Sequence, residues 1–341
     1  MSTETVVVTG ASGFIAKHCI AELLKAGYAV RGTLRSPDKA GAVRAAVTAA
    51  GADPAGLSFA TADLASDAGW DEALAGAPLV LHTASPFPMS QPKTRDELVA
   101  TARDGTLRVL AAAAKARARR VVLTSSIAAV MYPSVGEQSR TYTEIDWTDP
   151  ARRDVTPYIA SKAIAEKAAW AFVQSTPGAP QLAVINPGFV QGPALDADLS
   201  TSHEVIRHMA QGKFPAAPKA GFPMVDVRDV AALHLAAMRH PLAAGQRFLA
   251  TNGWLTLREM AEMVARTLPD LARKVPRHEA PDFVVRLLSY VDPGAKAVLP
   301  DLAVRRRCDS RKAREMFDFT FRSPSEAVVS SVKSLRELRL I

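Results

Sequence analysis

The run Val6-Val7-Val8-Thr9-Gly10-Ala11-Ser12-Gly13-Phe14-Ile15-Ala16 constrains this chain more than any other segment. A short apolar block leads through two glycines into a helical pattern, the layout of a strand that turns sharply into a helix N-terminus. There the backbone can approach an anion closely and offer it helix N–H groups that lack intrahelical partners. Gly10 and Gly13 carry no side chain to block that approach. Ala16 holds the third small position, where helix and strand must pack closely. The ligand shape that suits this turn is the pyrophosphate of a dinucleotide.

Alternating strand and helix patterns follow. Strands are expected at Thr5–Thr9, Ala29–Leu34, Leu57–Ala60, Leu79–Thr83, Val121–Thr124 and Leu182–Ile185, and helices at Phe14–Ala26, Asp38–Ala50, about Asp96–Ala116 and Tyr158–Gln174. Such alternation predicts an α/β fold, a parallel sheet with helices on both faces. After Asn186-Pro187-Gly188 prolines and glycines become frequent. A strand and helix return over Val225–Met238, and helices are expected at Thr256–Leu268 and Pro281–Tyr290. We therefore expect a dinucleotide-binding domain over residues 1–190 with a return at about 225–252. Residues 191–224 and 253–341 would form a smaller substrate lobe.

With 341 residues, 48% hydrophobic and 22% charged, the chain can bury a large core and is not a disordered polymer. It contains no apolar run long enough to span a bilayer, and Met1-Ser2-Thr3-Glu4 does not open a secretory signal. Cys19 and Cys308 are too few and too distant in sequence for a disulfide framework, which fits a reducing, cytoplasmic compartment. The net charge of +8 raises the question of nucleic acid. Arg117, Arg119 and Arg120 are expected to close a helix, and Arg305, Arg306 and Arg307 to be solvated. Aromatic residues do not alternate with the arginines, so no stacking platform for a nucleic acid is visible. The partner is read as a small molecule, with neither nucleic acid nor membrane.

Tyr158 and Lys162 stand four apart in a helical pattern, one turn from each other. A phenol with an ordinary pKa of about 10 exchanges its proton poorly at neutral pH, and a nearby ammonium favours the phenolate. The same spacing also occurs on ordinary helix surfaces. Thr124-Ser125-Ser126 closes an apolar strand, at the end where open parallel sheets bind ligands. A hydroxyl there can donate to a carbonyl oxygen, or simply cap a turn. His82 is read as a packed strand histidine. His203 and His208 are five apart and diverge on a helix, so a metal site is rejected and a place in solvent or at a cleft edge is expected.

Taken in order and spacing, the glycine turn, the strand-end serines and the tyrosine–lysine helix resemble the extended short-chain dehydrogenase/reductase superfamily, along nearly the whole chain. More narrowly, the chain resembles the group of dihydroflavonol reductases, cinnamoyl-CoA reductases and yeast-type methylglyoxal (carbonyl) reductases. That resemblance is carried by Thr9 through Ala16, Arg31-Gly32-Thr33-Leu34-Arg35, Tyr158 through Glu166, Asn186 through Pro193, and Val225 through Ala231.

The resemblance implies a Rossmann-type doubly wound parallel sheet with a smaller mixed α/β C-terminal substrate lobe. It implies reduction of aldehydes or ketones, with the reverse direction open. Tyr158 would be the general acid, and Lys162 would lower its pKa and hold the nicotinamide ribose. Ser126 would orient the carbonyl, with Ser125 as the alternative. Many relatives carry an asparagine ahead of an Asp-Gly-Thr segment; here Ala102 precedes Asp104-Gly105-Thr106, so a water or a backbone carbonyl would have to serve any relay there. The cofactor residues implied are Gly10, Ser12, Gly13, Phe14 and Ile15 at the turn, Asp63 and Leu64 at the adenine, and Thr83, Ala84 and Ser85 along the nicotinamide-side phosphates and ribose. Pro187 and Val190 join Tyr158 and Lys162 on the nicotinamide side.

NAD selection usually places an acid at the end of the second strand, but Ala29 to Ser36 has none. Arg35 and Lys39 instead suit a 2′-phosphate, so the expected cofactor is NADP(H). Arg31 is read as an exposed surface residue. Phe87, Met89, Ile127, Met131, Phe189, Val190 and Phe222 would make an apolar substrate wall, although core packing explains them equally well. A hydroxysteroid-type dehydrogenase, a nucleotide-sugar epimerase and a non-catalytic NADP sensor remain alternatives. Ile127-Ala128 replaces the Asp-Glu pair of dehydratases and disfavours that chemistry. Monomer and homodimer are both open.

Overall fold

The computed structural model describes residues 4–85, 95–134 and 140–341, so Phe87 and Met89 lie outside the described residues. The first part runs β1 (Thr5–Thr9), α1 (Phe14–Lys25), β2 (Ala29–Leu34), α2 (Ala40–Ala49), β3 (Leu57–Thr61), α3 (Trp70–Leu74) and β4 (Leu79–His82). It continues with α4 (Arg95–Lys115), β5 (Arg120–Thr124), β6 (Thr141–Tyr142), α5 (Pro157–Ser175) and β7 (Gln181–Pro187). Next come β8 (Phe189–Gln191), α6 (Thr201–Ala210), β9 (Ala217–Pro218), β10 (Gly221–Asp226), α7 (Val227–Arg239), β11 (Gln246–Ala250) and β12 (Trp254–Thr256). The chain closes with α8 (Leu257–Thr267), β13 (Glu279–Ala280), α9 (Asp282–Leu288), α10 (Pro293–Val298), β14 (Arg307–Cys308), α11 (Arg311–Phe317) and α12 (Pro324–Glu337).

Seven strands form one sheet in the order β11-β7-β5-β4-β1-β2-β3, and every neighbouring pair is parallel. Buried on both faces, these strands read as near-continuous apolar runs. Within β1 the two sides separate by alternation. Val6 and Val8 join Ile20, Leu23, Val230 and Phe248 on one face. Val7 joins Leu110, Ala113 and Ala169 on the other. The strand order reverses between β1 and β4, which leaves a crevice at their carboxyl ends. Among the described residues no helix is long and apolar enough to cross a membrane.

A second, three-stranded sheet of β8, β10 and β12 is covered by α6, α8 and α12 through Ile206, Met209, Met260, Val264, Val328 and Val332. The chain passes from the first sheet to the second across Gly188 alone, where an added Cβ would lie 2.4 Å from the Pro223 carbonyl oxygen. The return expected from Val225 divides at this point. Val225 and Asp226 belong to the second sheet, α7 packs on the large sheet's core, and β11 is its edge strand. The final helix α12 also reaches the seam. Ser331 Oγ accepts from the Gly192 N–H and Ser334 Oγ from the Ala194 N–H, both at 2.8 Å.

Two arginine expectations are corrected. Helix α4 ends at Lys115, and Arg120 opens β5 instead of closing the helix. Its buried guanidinium donates to the carbonyls of Ala237 (3.0 Å) and His240 (2.5 Å) at the end of α7, where a cation offsets the dipole. Arg306 is not solvated surface: it is buried, paired with Asp301 at 2.6 Å and stacked on the Tyr132 ring.

His18, His82 and His234 are buried, and desolvation pulls their pKa values down to about 4, 3 and 4. In the unfolded chain each would titrate near 6.5. Between pH 6.5 and about 4 the unfolded chain therefore binds protons that the native state refuses, so stability falls as pH falls. Each histidine contributes on the order of 1.4 kcal/mol per pH unit in that window. We expect the urea midpoint to drop clearly between pH 7 and pH 5. A midpoint unchanged over that range would contradict the neutral assignment.

Candidate active site

The glycine turn lies at the switch point. Gly10 adopts φ +66°, and a Cβ there would meet the Cα of Ala84 at 3.0 Å, so glycine is required on both counts. Thr9 ties the two strand ends together. Its Oγ1 is hydrogen-bonded to His82 Nδ1 (2.8 Å) and accepts from the Ala84 N–H (3.0 Å), while Thr83 Oγ1 donates to the Thr9 carbonyl (2.5 Å). Burial and the nearby Lys162 keep His82 neutral, as a packed histidine. Helix α1 starts after Gly13 with no side-chain cap and no acid in its first turn. Ser12, Phe14 and Ile15 are half-buried around this opening and Gly13 is exposed, an arrangement that fits a phosphate at the helix N-terminus.

The other cofactor candidates flank the turn. Arg35 follows β2 and is exposed, with no ion pair or hydrogen bond among the described residues. Lys39 donates instead to Asp198 Oδ2 (2.9 Å). Arg31 faces away, donating to the Ala73 (3.0 Å) and Ala75 (2.8 Å) carbonyls at the end of α3. Past β3, Asp63 accepts from the Ala65 N–H (3.0 Å). Leu64 packs against Gly105, where an added Cβ would come within 2.8 Å.

The strand-end serines divide their work. Ser126 caps a short 3-10 turn, accepting from the Ala128 N–H (3.1 Å), and its hydroxyl is close enough to Tyr158 to influence the phenol. Ser125 turns the other way and donates to Glu166 Oε2 (2.5 Å). Of the two, Ser126 is the one beside the phenol. Lys162 Nζ donates to Ser85 Oγ (3.0 Å) and sits 5.9 Å from the Tyr158 ring centroid.

The electrostatics differ from expectation. Burial raises the Tyr158 pKa above its ordinary value, and the opposing influence is the hydrogen bond from Ser126, not Lys162. Burial also lowers the Lys162 pKa to about 8, against the attraction of Glu166. The ammonium itself is engaged by Ser85, at 3.0 Å.

Glu166, Asn186 and Arg247 are functional-site residues that the sequence reading did not single out. Glu166 is fully buried and accepts from Ser125, from Asn186 Nδ2 (2.7 Å), from Arg247 Nε (2.5 Å) and from Trp170 Nε1 (3.3 Å). Asn186 Nδ2 also donates to the Ser126 carbonyl (3.1 Å). The available signal was the i,i+4 spacing of Lys162 and Glu166, which looks the same on an exposed helix face. A cavity of about 20 Å³ lies between Ala102, Thr106, Ser125, Lys162 and Glu166, lined by both apolar and polar groups and large enough for one water molecule.

Ile127 and Met131 are buried in the apolar cluster against which Tyr158 packs. Phe189 and Phe222 stack with ring centroids 5.1 Å apart, against the second lobe's core. Pro187 ends β7 in a buried position, and Val190 is half-buried in β8. His203 is neither in solvent nor at a cleft edge. It is fully buried, bonded through Nε2 to the Gly192 carbonyl (2.9 Å) and packed edge-on to Phe14. No metal-binding group of side chains occurs among the described residues. Cys19 is buried, which pushes its thiol pKa up.

The NAD dependent epimerase/dehydratase family model matches residues 6–249. The chain belongs to this family. Within it, the chain is 34% identical to the ketoreductase azaE of Aspergillus niger, over 98% of each chain. It is 38% identical to the cinnamoyl-CoA reductase CAD2 of Medicago truncatula, over 72% of this chain and 76% of that one. The crystal structure of Gre2 from Candida albicans in complex with NADPH superposes with a TM-score of 0.80 at 31% identity, covering 98% of this chain and 99% of that one.

The buried carboxylate of Glu166 should be indispensable to the fold of this site. Glu166→Gln removes the counter-charge of a buried arginine, and breaking such a pair costs about 3–5 kcal/mol. We expect a thermal midpoint lowered by about 4–7 degrees. Full stability in the variant would show that Arg247 finds another partner.

Proposed function

We propose that this chain is an NADPH-dependent reductase of aldehydes and ketones, with Tyr158 as its general acid. The observation that carries the reading is that Ser126, at the carboxyl end of β5, and Lys162, 5.9 Å from the Tyr158 ring centroid and donating to Ser85 after β4, both lie beside the buried phenol. The family relatives support it: one is named a ketoreductase, another a cinnamoyl-CoA reductase, and the superposed structure carries NADPH. When bound, the dinucleotide would supply a hydride to the carbonyl carbon. The Gly10 cradle and the uncapped N-terminus of α1 fit its pyrophosphate, and Arg35 and Lys39 fit a 2′-phosphate.

The protein's own contribution is proton and charge management. Burial keeps the Tyr158 phenol protonated at neutral pH, the state a general acid for reduction needs. As negative charge grows on the carbonyl oxygen, Ser126 and Tyr158 donate hydrogen bonds to it, and Tyr158 then gives up its proton. Lys162, still largely charged at pH 7 with a pKa of about 8, stabilises the phenolate left behind. Alcohol oxidation needs that phenolate at the outset, so the reverse direction should demand alkaline pH. Ile127 and Met131, packed in the cluster beside Tyr158, supply an apolar wall for the substrate.

Tyr158→Phe should reduce kcat by at least about 100-fold while leaving the NADPH dissociation constant within a factor of about two. Ser126→Ala should lower kcat far more than Ser125→Ala. An NADPH-oxidation screen over aldehydes, ketones and diketones supplies the substrate for these assays. A Tyr158→Phe enzyme with wild-type turnover would eliminate the mechanism.

A further inference from the structure

One loop of the second lobe reaches across to the cofactor side of the molecule. Residues 192–200 link β8 to α6, and two contacts of the loop and one of α6 fix this region against α1. Lys17 Nζ, on a fully buried side chain, donates to Asp196 Oδ1 (2.5 Å). His18 Nε2 bonds to the Pro193 carbonyl (3.0 Å), and Phe14 packs against His203 with ring centroids 4.3 Å apart. Asp196 Oδ1 also accepts from the Asp198 N–H (3.1 Å), which sets the backbone of the next acid. The backbone of Asp198 is thus tied through Asp196 to α1, apart from the ion pair of its side chain.

What Asp198 meets there is Lys39 Nζ, at 2.9 Å, with both side chains about half exposed. Lys39 ends the short turn that follows Arg35, so the two cations belong to one segment after β2. Arg35 is unengaged among the described residues, whereas Lys39 is occupied. The remaining acid of the segment, Asp38, is hydrogen-bonded by the Ser36 hydroxyl.

We infer that Asp198 tunes cofactor discrimination by competing with the dinucleotide 2′-phosphate for Lys39. The inference rests on the NADPH reading above. A phosphate of charge near −2 outbids a single carboxylate for an ammonium. Once Lys39 turns to it, Asp198 is left unpaired beside a dianion, held there by the α1 contacts. A dinucleotide without the 2′-phosphate leaves the Lys39–Asp198 pair intact and meets no such penalty. Asp198 therefore narrows the preference for NADPH over NADH, and its loop carries information about the cofactor into the substrate lobe.

The test is calorimetric titration of the whole protein with NADPH and with NADH at low and high salt. An exposed pair of this kind is worth about 0.2–1 kcal/mol, so Asp198→Asn should tighten NADPH binding about 1.4- to five-fold at low salt. NADH affinity should stay unchanged, Asp198→Glu should restore wild-type values, and the gain should shrink at high salt. NADPH binding that is unchanged or weaker in Asp198→Asn overturns the inference, as does equal tightening of NADH. Arg35→Ala separates the two levels. If it loses NADPH affinity as expected while Asp198→Asn does nothing, only the competition fails. If it keeps wild-type NADPH affinity, the 2′-phosphate lies elsewhere, and the reading and the inference fall together.

Discussion

Four hydrogen bonds converge on one buried carboxylate, and the rest of the site depends on them. Glu166 takes donors from the end of β5 through Ser125, from β7 through Asn186, from β11 through Arg247, and from its own helix through Trp170. These are three neighbouring strands of the large sheet and the helix that bears Tyr158 and Lys162. An ionised acceptor makes such bonds short and strong, and only a buried counter-ion makes the burial tolerable. Arg247 is that counter-ion. It is fixed in turn by the carbonyls of Glu144 and Asp146 (both 2.8 Å) and by stacking on Trp147. Because Ser125 is consumed by this network, its neighbour Ser126 is directed to the opposite side, toward the phenol.

Glu166 also shapes the electrostatics. Lys162 would lose more of its charge to burial without the carboxylate one turn further along the helix. The expectation that the ammonium lowers the phenol's pKa meets a stronger effect, since burial shifts Tyr158 upward overall. Ser126 is the group that opposes this upward shift. Lys162 lies 5.9 Å from the ring centroid, and burial favours the protonated phenol. That state suits a site poised for reduction.

Much of this was legible in the sequence because local signals and the global fold agree. The glycine turn can serve only one backbone path, and the strands of a two-sided sheet betray themselves by continuous apolar runs. The nearness of Tyr158 and Lys162 was readable from their one-turn spacing, and the place of Ser126 from the apolar strand it follows. Glu166, Arg247 and Asp198 were not, because each acquires its meaning from a partner remote in sequence. Arg120 and Arg306 were misread for a related reason. Charged residues are almost never buried unless paired, and neither the α7 carbonyls nor Asp301 could be assigned to them from sequence. The placement of β10 escaped notice because a single glycine diverts the chain from one sheet to the other.

The serines of α12 carry a consequence for biogenesis. Gly192 and Ala194 offer their N–H groups to Ser331 and Ser334, residues synthesised well over a hundred positions later. During translation the large sheet can assemble as soon as β11 emerges, yet the seam segment has no partner for those donors until α12 leaves the ribosome. The nascent protein should thus acquire its dinucleotide cradle early and its completed cleft last. A stalled or truncated product would retain ligand capture without turnover.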